Sequence, residues 1–398
     1  MMTVGCLMRK TALWVAIAVV MPVALSAQAL EINISYIRQK VDRPPVLSNL
    51  DPIPEDDGQA GAIVGHADNA TTGRFLNQDY RLSFFEMDDT GAVTPVDGAT
   101  TPQTPGDLVL MDAPAASLLA FADRPENAGK LIFNVARGDA ALRDTECRAN
   151  VLHTAVSDAM RSDALAQFLV LRRWSKLVMI EGRRPADKAF ADAIRNSAAK
   201  FRLKIAATKE WVSDADLRRT ASSELPPFTQ DFPKHDVLIV ADETDDFARY
   251  LPYNTWQPRP VVGSAGLLPT AWSSAVESWG AAQLQSRFEE SAGRDMRPLD
   301  YAAWAAIRSI GEAVTRLNLA DAGDVRAFIL SDAFELSGFK GRKLSFRNWN
   351  GQMRQVVHLV HPRAVVANAP LPGFLHRMTE LDTLGLDEPE SKCGVFGE

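Results

Sequence analysis

SDAMRSDALAQFLVLRRWSKLVMIEGRRPADKAFADAIRNSAAKFRLKIAATKEW, residues 157–211, decides the fold class. Two segments in it, SKLVMIEG (175–182) and LKIAATKEW (203–211), read as strands rich in β-branched residues. Ahead of them lie SDAMRSDALAQFLVLRRW and PADKAFADAIRNSAAKF, with apolar residues at three- and four-residue steps, the spacing of core-facing helices. Helix and strand in alternation imply parallel strands, because a parallel pair needs a crossover of a dozen or more residues.

Outward from this stretch the pattern repeats. EINISYI (31–37), YRLSFFEM (80–87), GDLVLMD (106–112), KLIFNVA (130–136) and ANVLHTA (149–155) read as earlier strands, DVLIVAD (236–242) and RPVVGS (259–264) as later ones. From Ala271 to Leu330 the sequence reads as nearly all helix. Short strands follow within GRKLSFRNWNGQMRQVVHLVHP, where NWNG (348–351) carries an Asn-Gly turn signal. The fold class is α/β, with mostly parallel sheets flanked by helices. Such sheets bind ligands beyond the carboxyl ends of their strands.

The first residues form a separate unit. MRKTALWVAIAVVMPVALSAQA (8–29) places Arg9 and Lys10 before an apolar run and ends on Ala27-Gln28-Ala29, the order of a Sec-type signal peptide cleaved after Ala29. The apolar run is shorter than the roughly 20 residues of a membrane span. Cys6 precedes the run, away from the cleavage point, so no lipid anchor is expected. A periplasmic mature chain follows, 30–398. The formal charge of the full chain is −7, and loss of Arg9 and Lys10 makes it more acidic, which argues against nucleic acid or an anionic membrane as partner. Cys147 and Cys393 are the cysteines left after cleavage. In an oxidising compartment they are expected to pair, two buried inert thiols being the alternative.

Three longer pieces carry a family resemblance. PEDDGQAGAIVGHADNATTGRFLNQDYRLSFFEMDD (54–89), HTAVSDAMRSDALAQFLVLRRWSKLVMIEG (153–182) and RFEESAGRDMRPLDYAAWAAIRSIGEAV (287–314) resemble, in that order, the type I periplasmic solute-binding proteins of ABC transporters, branched-chain amino acid class. NVARGDAALRDTECRAN (134–150), YLPYNTWQPRPVVGSAGLLPTAWSSAVESWGAAQLQSRF (250–288) and GFLHRMTELDTLGLDEPESKC (373–393) are similar to the subgroup associated with PQQ-dependent alcohol dehydrogenase systems, which includes a PQQ-binding periplasmic protein. The resemblance implies two lobes joined by a three-strand hinge. Lobe one is expected over 30–148 and 266–335, lobe two over 149–265 and 336–365, with a C-terminal tail over 366–398. It also implies an ABC transporter permease as partner, pyrroloquinoline quinone (PQQ) as the ligand and no catalytic cofactor. Two departures stand out: RQKVDRPPVLSNLDP replaces the usual turn after the first strand, and ARGDAALRD (136–144) replaces the small polar turn that grips amino-acid ligands.

The loops at strand carboxyl ends supply the candidate ligand-binding residues. Arg137, Asp139 and Arg143 follow one strand of lobe one, and Arg38, Lys40 and Arg43 the first. Arg183 and Arg184 follow a strand of lobe two, Asp242 and Glu243 another, and Ser264 a third. Guanidinium forks bind carboxylates bidentately and remain cationic. The alternative is that these arginines form a solvated rim or pair with neighbouring acids. Trp272 and Trp279, seven residues apart, are expected on one helix face, Trp272 towards the cleft and Trp279 towards the core. Trp256 with Tyr253 lies in a Pro-flanked loop read as a cleft lip or an apolar plug. The histidines show no zinc spacing and GSAG lacks the serine of a nucleophile elbow, so neither a metal site nor a catalytic set is expected. Together with the resemblance, the expected protein is a monomeric binding protein rather than an enzyme. One alternative is another small anionic or aromatic ligand. The other is an accessory role beside a PQQ-dependent alcohol dehydrogenase without tight ligand binding.

Overall fold

The computed structural model describes residues 2–3, 29–41, 52–96, 102–212 and 217–396. Residues 4–28 of the expected leader, and Arg43, lie outside the described residues. Strand β1 (Leu30–Gln39), helix α1 (Gln59–Leu76), β2 (Gln78–Met87) and a short β3 (Val93–Pro95) open lobe one. Strand β4 (Leu108–Asp112), α2 (Ala115–Ala122), β5 (Leu131–Asn134) and β6 (Val151–His153) complete a six-stranded sheet ordered β3-β2-β1-β4-β5-β6. Its neighbours are parallel except β2 and β3.

Lobe two follows with α3 (Asp158–Arg172), β7 (Lys176–Glu181), α4 (Pro185–Lys200), β8 (Lys204–Glu210), α5 (Leu217–Gln230), β9 (Val237–Ala241) and β10 (Val261–Gly263). Its parallel sheet runs β10-β9-β7-β8. Strand β9, VLIVA, is buried throughout, as a strand covered by helices on both faces must be. Strand β8 at the edge alternates between exposed and half-buried residues.

Strand β11 (Leu268–Thr270) precedes a return to lobe one through α6 (Ala281–Ala292), α7 (Pro298–Leu317) and α8 (Ala322–Ile329). Strands β12 (Leu336–Ser337), β13 (Lys343–Phe346) and β14 (Met353–Arg354) form a small antiparallel sheet, in which the NWNG turn joins β13 to β14. Strands β15 (Val357–His361) and β16 (Ala364–Ala369) pair with β11 in a fourth sheet, against α3. Helix α7 lies close along α1, and Gly61 permits it: a Cβ there would stand 1.9 Å from the Asp300 carbonyl oxygen.

Sheet membership corrects the expected lobe edges. Residues 151–153, expected to open lobe two, form the edge strand of the lobe-one sheet, with Phe133 opposite Leu152. Residues 268–270, expected in lobe one, pair with β15 instead. The hairpin over 343–354 packs on lobe one through Phe346, whose ring lies 6.3 Å from Phe133 and 5.7 Å from Phe334. The chain therefore crosses between lobes near 154–157, 271–280 and 355–356. The helix expected from Trp272 onward begins only at Ala281. Trp279 and Gly280 take left-handed φ of 57° and 81°, which a right-handed helix cannot absorb.

Candidate functional site

Strand carboxyl ends of both lobes face the crossovers, and there the lobes touch: the Asp158 amide at the start of α3 donates to the Gly138 carbonyl after β5 (2.9 Å). On lobe one, Asn134 at the end of β5 clamps the next turn. Its Oδ1 accepts from the Arg137 amide and its Nδ2 donates to the Arg137 carbonyl, each at 2.9 Å. The half-buried Arg137 guanidinium is steadied by Nε donating to the Ala113 carbonyl (3.1 Å). Its two terminal nitrogens have no partner among the described residues, nor does the Asp139 carboxylate. Arg38 pairs with Asp112 at 3.5 Å and Lys40 with Glu86 at 2.6 Å.

On lobe two, an ion cluster that the sequence reading did not assemble sits at the ends of β7, β9 and β10. Arg161, one turn into α3, donates through both terminal nitrogens to the Glu243 carboxylate (2.6 and 3.1 Å) and to Asp158 (3.1 Å). Its guanidinium lies 4.2 Å over the Phe190 ring. The Ser264 hydroxyl donates to Glu243 (2.9 Å), so its one proton is committed. Burial pushes the Glu243 carboxyl up, but the Arg161 charge and the hydrogen bonds outweigh it, and the group settles below its ordinary value. Burial raises Asp158. Asp187 is raised to about 6, chiefly by burial, while its oxygens accept from the amides of Arg184 (3.0 Å) and Glu243 (2.7 Å). The signal for Arg161 was positional: a helix that follows a strand end brings its first turn to the carboxyl edge of the sheet.

The remaining candidates divide. Arg183 is exposed after β7, and Arg184 pairs with Asp246 at 3.0 Å. Two of these expectations are corrected. Arg143 is buried and spends its donors on Gln352 Oε1 (2.7 Å) and the carbonyls of Asp139 (3.0 Å) and Ala155 (3.1 Å); burial lowers it to about 10. It holds a crossover in place. Asp242 is likewise structural, its oxygens accepting from the amides of Asp246, Phe247 and Ala248 at 2.7–3.0 Å.

The tryptophans are corrected most. Trp272 is 1% exposed, stacks on Tyr301 at 4.8 Å and donates to Gln285 (3.1 Å), so it belongs to the lobe-one core. Trp279 is 52% exposed, the reverse of the expectation. Trp256, 55% exposed, donates its backbone amide to Thr229 at the end of α5, and Gln257 reaches the Phe232 carbonyl. Those partners precede β9, which puts Trp256 at the amino end of the sheet, opposite the cleft.

The pairing of Cys147 with Cys393 is present, with Cα atoms 5.8 Å apart. Among the described residues there is no cluster of three potential metal ligands, and no helix is long and apolar enough to cross a membrane.

No protein-family model and no curated protein matches the chain. Solved structures do. A periplasmic binding protein from Burkholderia mallei aligns with a TM-score of 0.62 at 14% identity, covering 93% of this chain and 99% of its own. An ABC transporter solute-binding protein from R. palustris in complex with benzoate aligns at 0.61 and 11%, covering 92% and 99%. The branched-chain amino acid transporter substrate-binding protein of Streptococcus pneumoniae, in complex with isoleucine, aligns at 0.59 and 12%, covering 85% and 98%. With the sheet orders and crossovers above, these likenesses establish that the chain has the two-lobed α/β fold of the periplasmic binding proteins.

Proposed function

We propose that this protein is a periplasmic solute-binding protein that delivers a small anionic ligand to an ABC-type permease, with PQQ the first compound to test. The observation that carries the reading is Arg137: a guanidinium anchored by one nitrogen at the carboxyl edge of the lobe-one sheet, with both terminal nitrogens unspent. A carboxylate would complete it as a charge-assisted fork. Asp139, two residues on, suits a ligand N–H. PQQ offers three carboxylates and a pyrrole N–H; an amino acid offers one of each charge.

Lobe two favours the anion. On that lobe the Glu243 carboxylate is already held by Arg161 and Ser264, so it is not open to a ligand ammonium. The stacking surface expected of Trp272 and Trp256 is not part of this reading, since one is core and the other lies at the far end of the sheet. The test is calorimetric titration of the purified mature protein with PQQ, benzoate and leucine in parallel. One equivalent of PQQ bound, with leucine silent, is the expected result. Leucine binding with both anions silent would overturn the reading.

A further inference from the structure

We propose that the segment after β16 is a fourth tie between the lobes, and that the Cys147–Cys393 bond limits how far the cleft opens. Residues 381–386 are gripped from both sides. From lobe one, the buried Arg347 of the β13–β14 hairpin donates to Asp382 (2.9 Å) and to the carbonyls of Leu381 (3.2 Å), Leu384 (2.6 Å) and Leu386 (3.0 Å). From lobe two, Asp163 of α3 accepts from the Gly385 amide (2.8 Å), and Lys200 of α4 donates to the Gly385 carbonyl (2.9 Å). Gln167 of α3 spans the segment, accepting from the Leu371 amide and donating to the Thr383 hydroxyl, each at 2.9 Å.

Beyond this grip the chain runs on to lobe one, where the Lys392 amide meets Asp144 (2.5 Å) and Cys393 closes on Cys147. The disulfide thus fixes the far end of the strap to lobe one while its near end continues β16 of the lobe-two side. A rotation of one lobe against the other about the crossovers must shear the 381–386 contacts, because Arg347 and Asp163 hold the same few residues. With the disulfide closed the strap cannot follow lobe two, so opening is restrained whatever the cleft binds. With it open, residues 387–396 are free to trail, and the contacts to α3 and α4 can part.

The experiment compares ligand-free oxidised protein with C147S/C393S by small-angle scattering and hydrogen exchange. The expected result is a larger radius of gyration in the variant and a Gly385 amide that exchanges at least about tenfold faster. The proposal is overturned if both readouts are unchanged while near-ultraviolet circular dichroism shows the aromatic core intact. Should that variant not fold, Gly385→Ala with the disulfide intact serves instead. The added Cβ would stand 2.8 Å from Met160 Cγ on α3, and should lift the strap from lobe two with the same two signatures. An unchanged radius and unchanged exchange at residues 383–386 in Gly385→Ala would equally overturn the proposal.

Discussion

Tryptophan shows how far residue identity carries. Truncating Trp272 to alanine removes a stacked, fully buried ring and should cost about 3–5 kcal/mol, whereas Trp256→Ala should stay within about 0.5 kcal/mol; urea unfolding followed by circular dichroism separates them. Spacing puts Trp272 near the cleft only if its helix is unbroken, and local spacing does not register two successive left-handed residues at 279–280; the Pro-flanked loop of Trp256 does not say at which end of the sheet it lies. The arginines teach the same lesson. Arg137 and Arg143 follow one strand, yet Gln352, some two hundred positions on, claims one and leaves the other available. Titration is also set by tertiary surroundings. Burial raises Asp57 and Asp187 each to about 6. A carboxyl that holds its proton more tightly when folded stabilises the fold fully below about pH 4, and that contribution is lost as pH rises through about 6. The double variant Asp57→Asn/Asp187→Asn should therefore show a melting temperature less sensitive to pH between about 4 and 7 than the wild type.

The α1–α7 pair is where helix identity turns on small residues. Adding a methyl at Gly61 would drive Cβ to within 1.9 Å of the Asp300 carbonyl, so Gly61→Ala should cost about 1–3 kcal/mol through backbone displacement. Thermal unfolding of the purified variant checks this. Strands were the legible elements, since each reading from EINISYI to RPVVGS falls on an observed strand and the Asn-Gly turn at 350–351 joins two more. Their short, apolar, Gly- or Pro-bounded runs encode them locally. The ends of β6, β11 and the β13–β14 hairpin were not legible as lobe boundaries, because lobe membership depends on pairing with strands far along the chain.

Two lobes, each built from separated stretches, meet at the strand ends where Asp158 bonds Gly138. If Arg137 receives a ligand carboxylate, Arg137→Ala should weaken anion binding by about 1.5–3 kcal/mol, or roughly 10- to 150-fold. The same change should leave stability nearly untouched, since only the bond to Ala113 is lost. Calorimetry with the tightest anion found, beside a melting curve, measures both effects. The architecture was legible because alternation of helix and strand persists along the chain. The candidate site was legible only as a set of loops: which of its charges are already paired depends on Arg161, whose first-turn position in α3 gave no compositional signal.

The seat of α1 against α7 bears on how the molecule comes into being. The Gly58 amide and the Asp300 carboxylate that receives it are 242 positions apart. A nascent polypeptide emerging from the ribosome therefore carries the apolar side of α1 uncovered until three-quarters of the chain has been made. Lobe two fares no better, because β15 and β16 arrive later still. A translation product that stops before Pro298 contains no finished lobe, so it presents bare apolar surface to chaperones and proteases rather than a folded half.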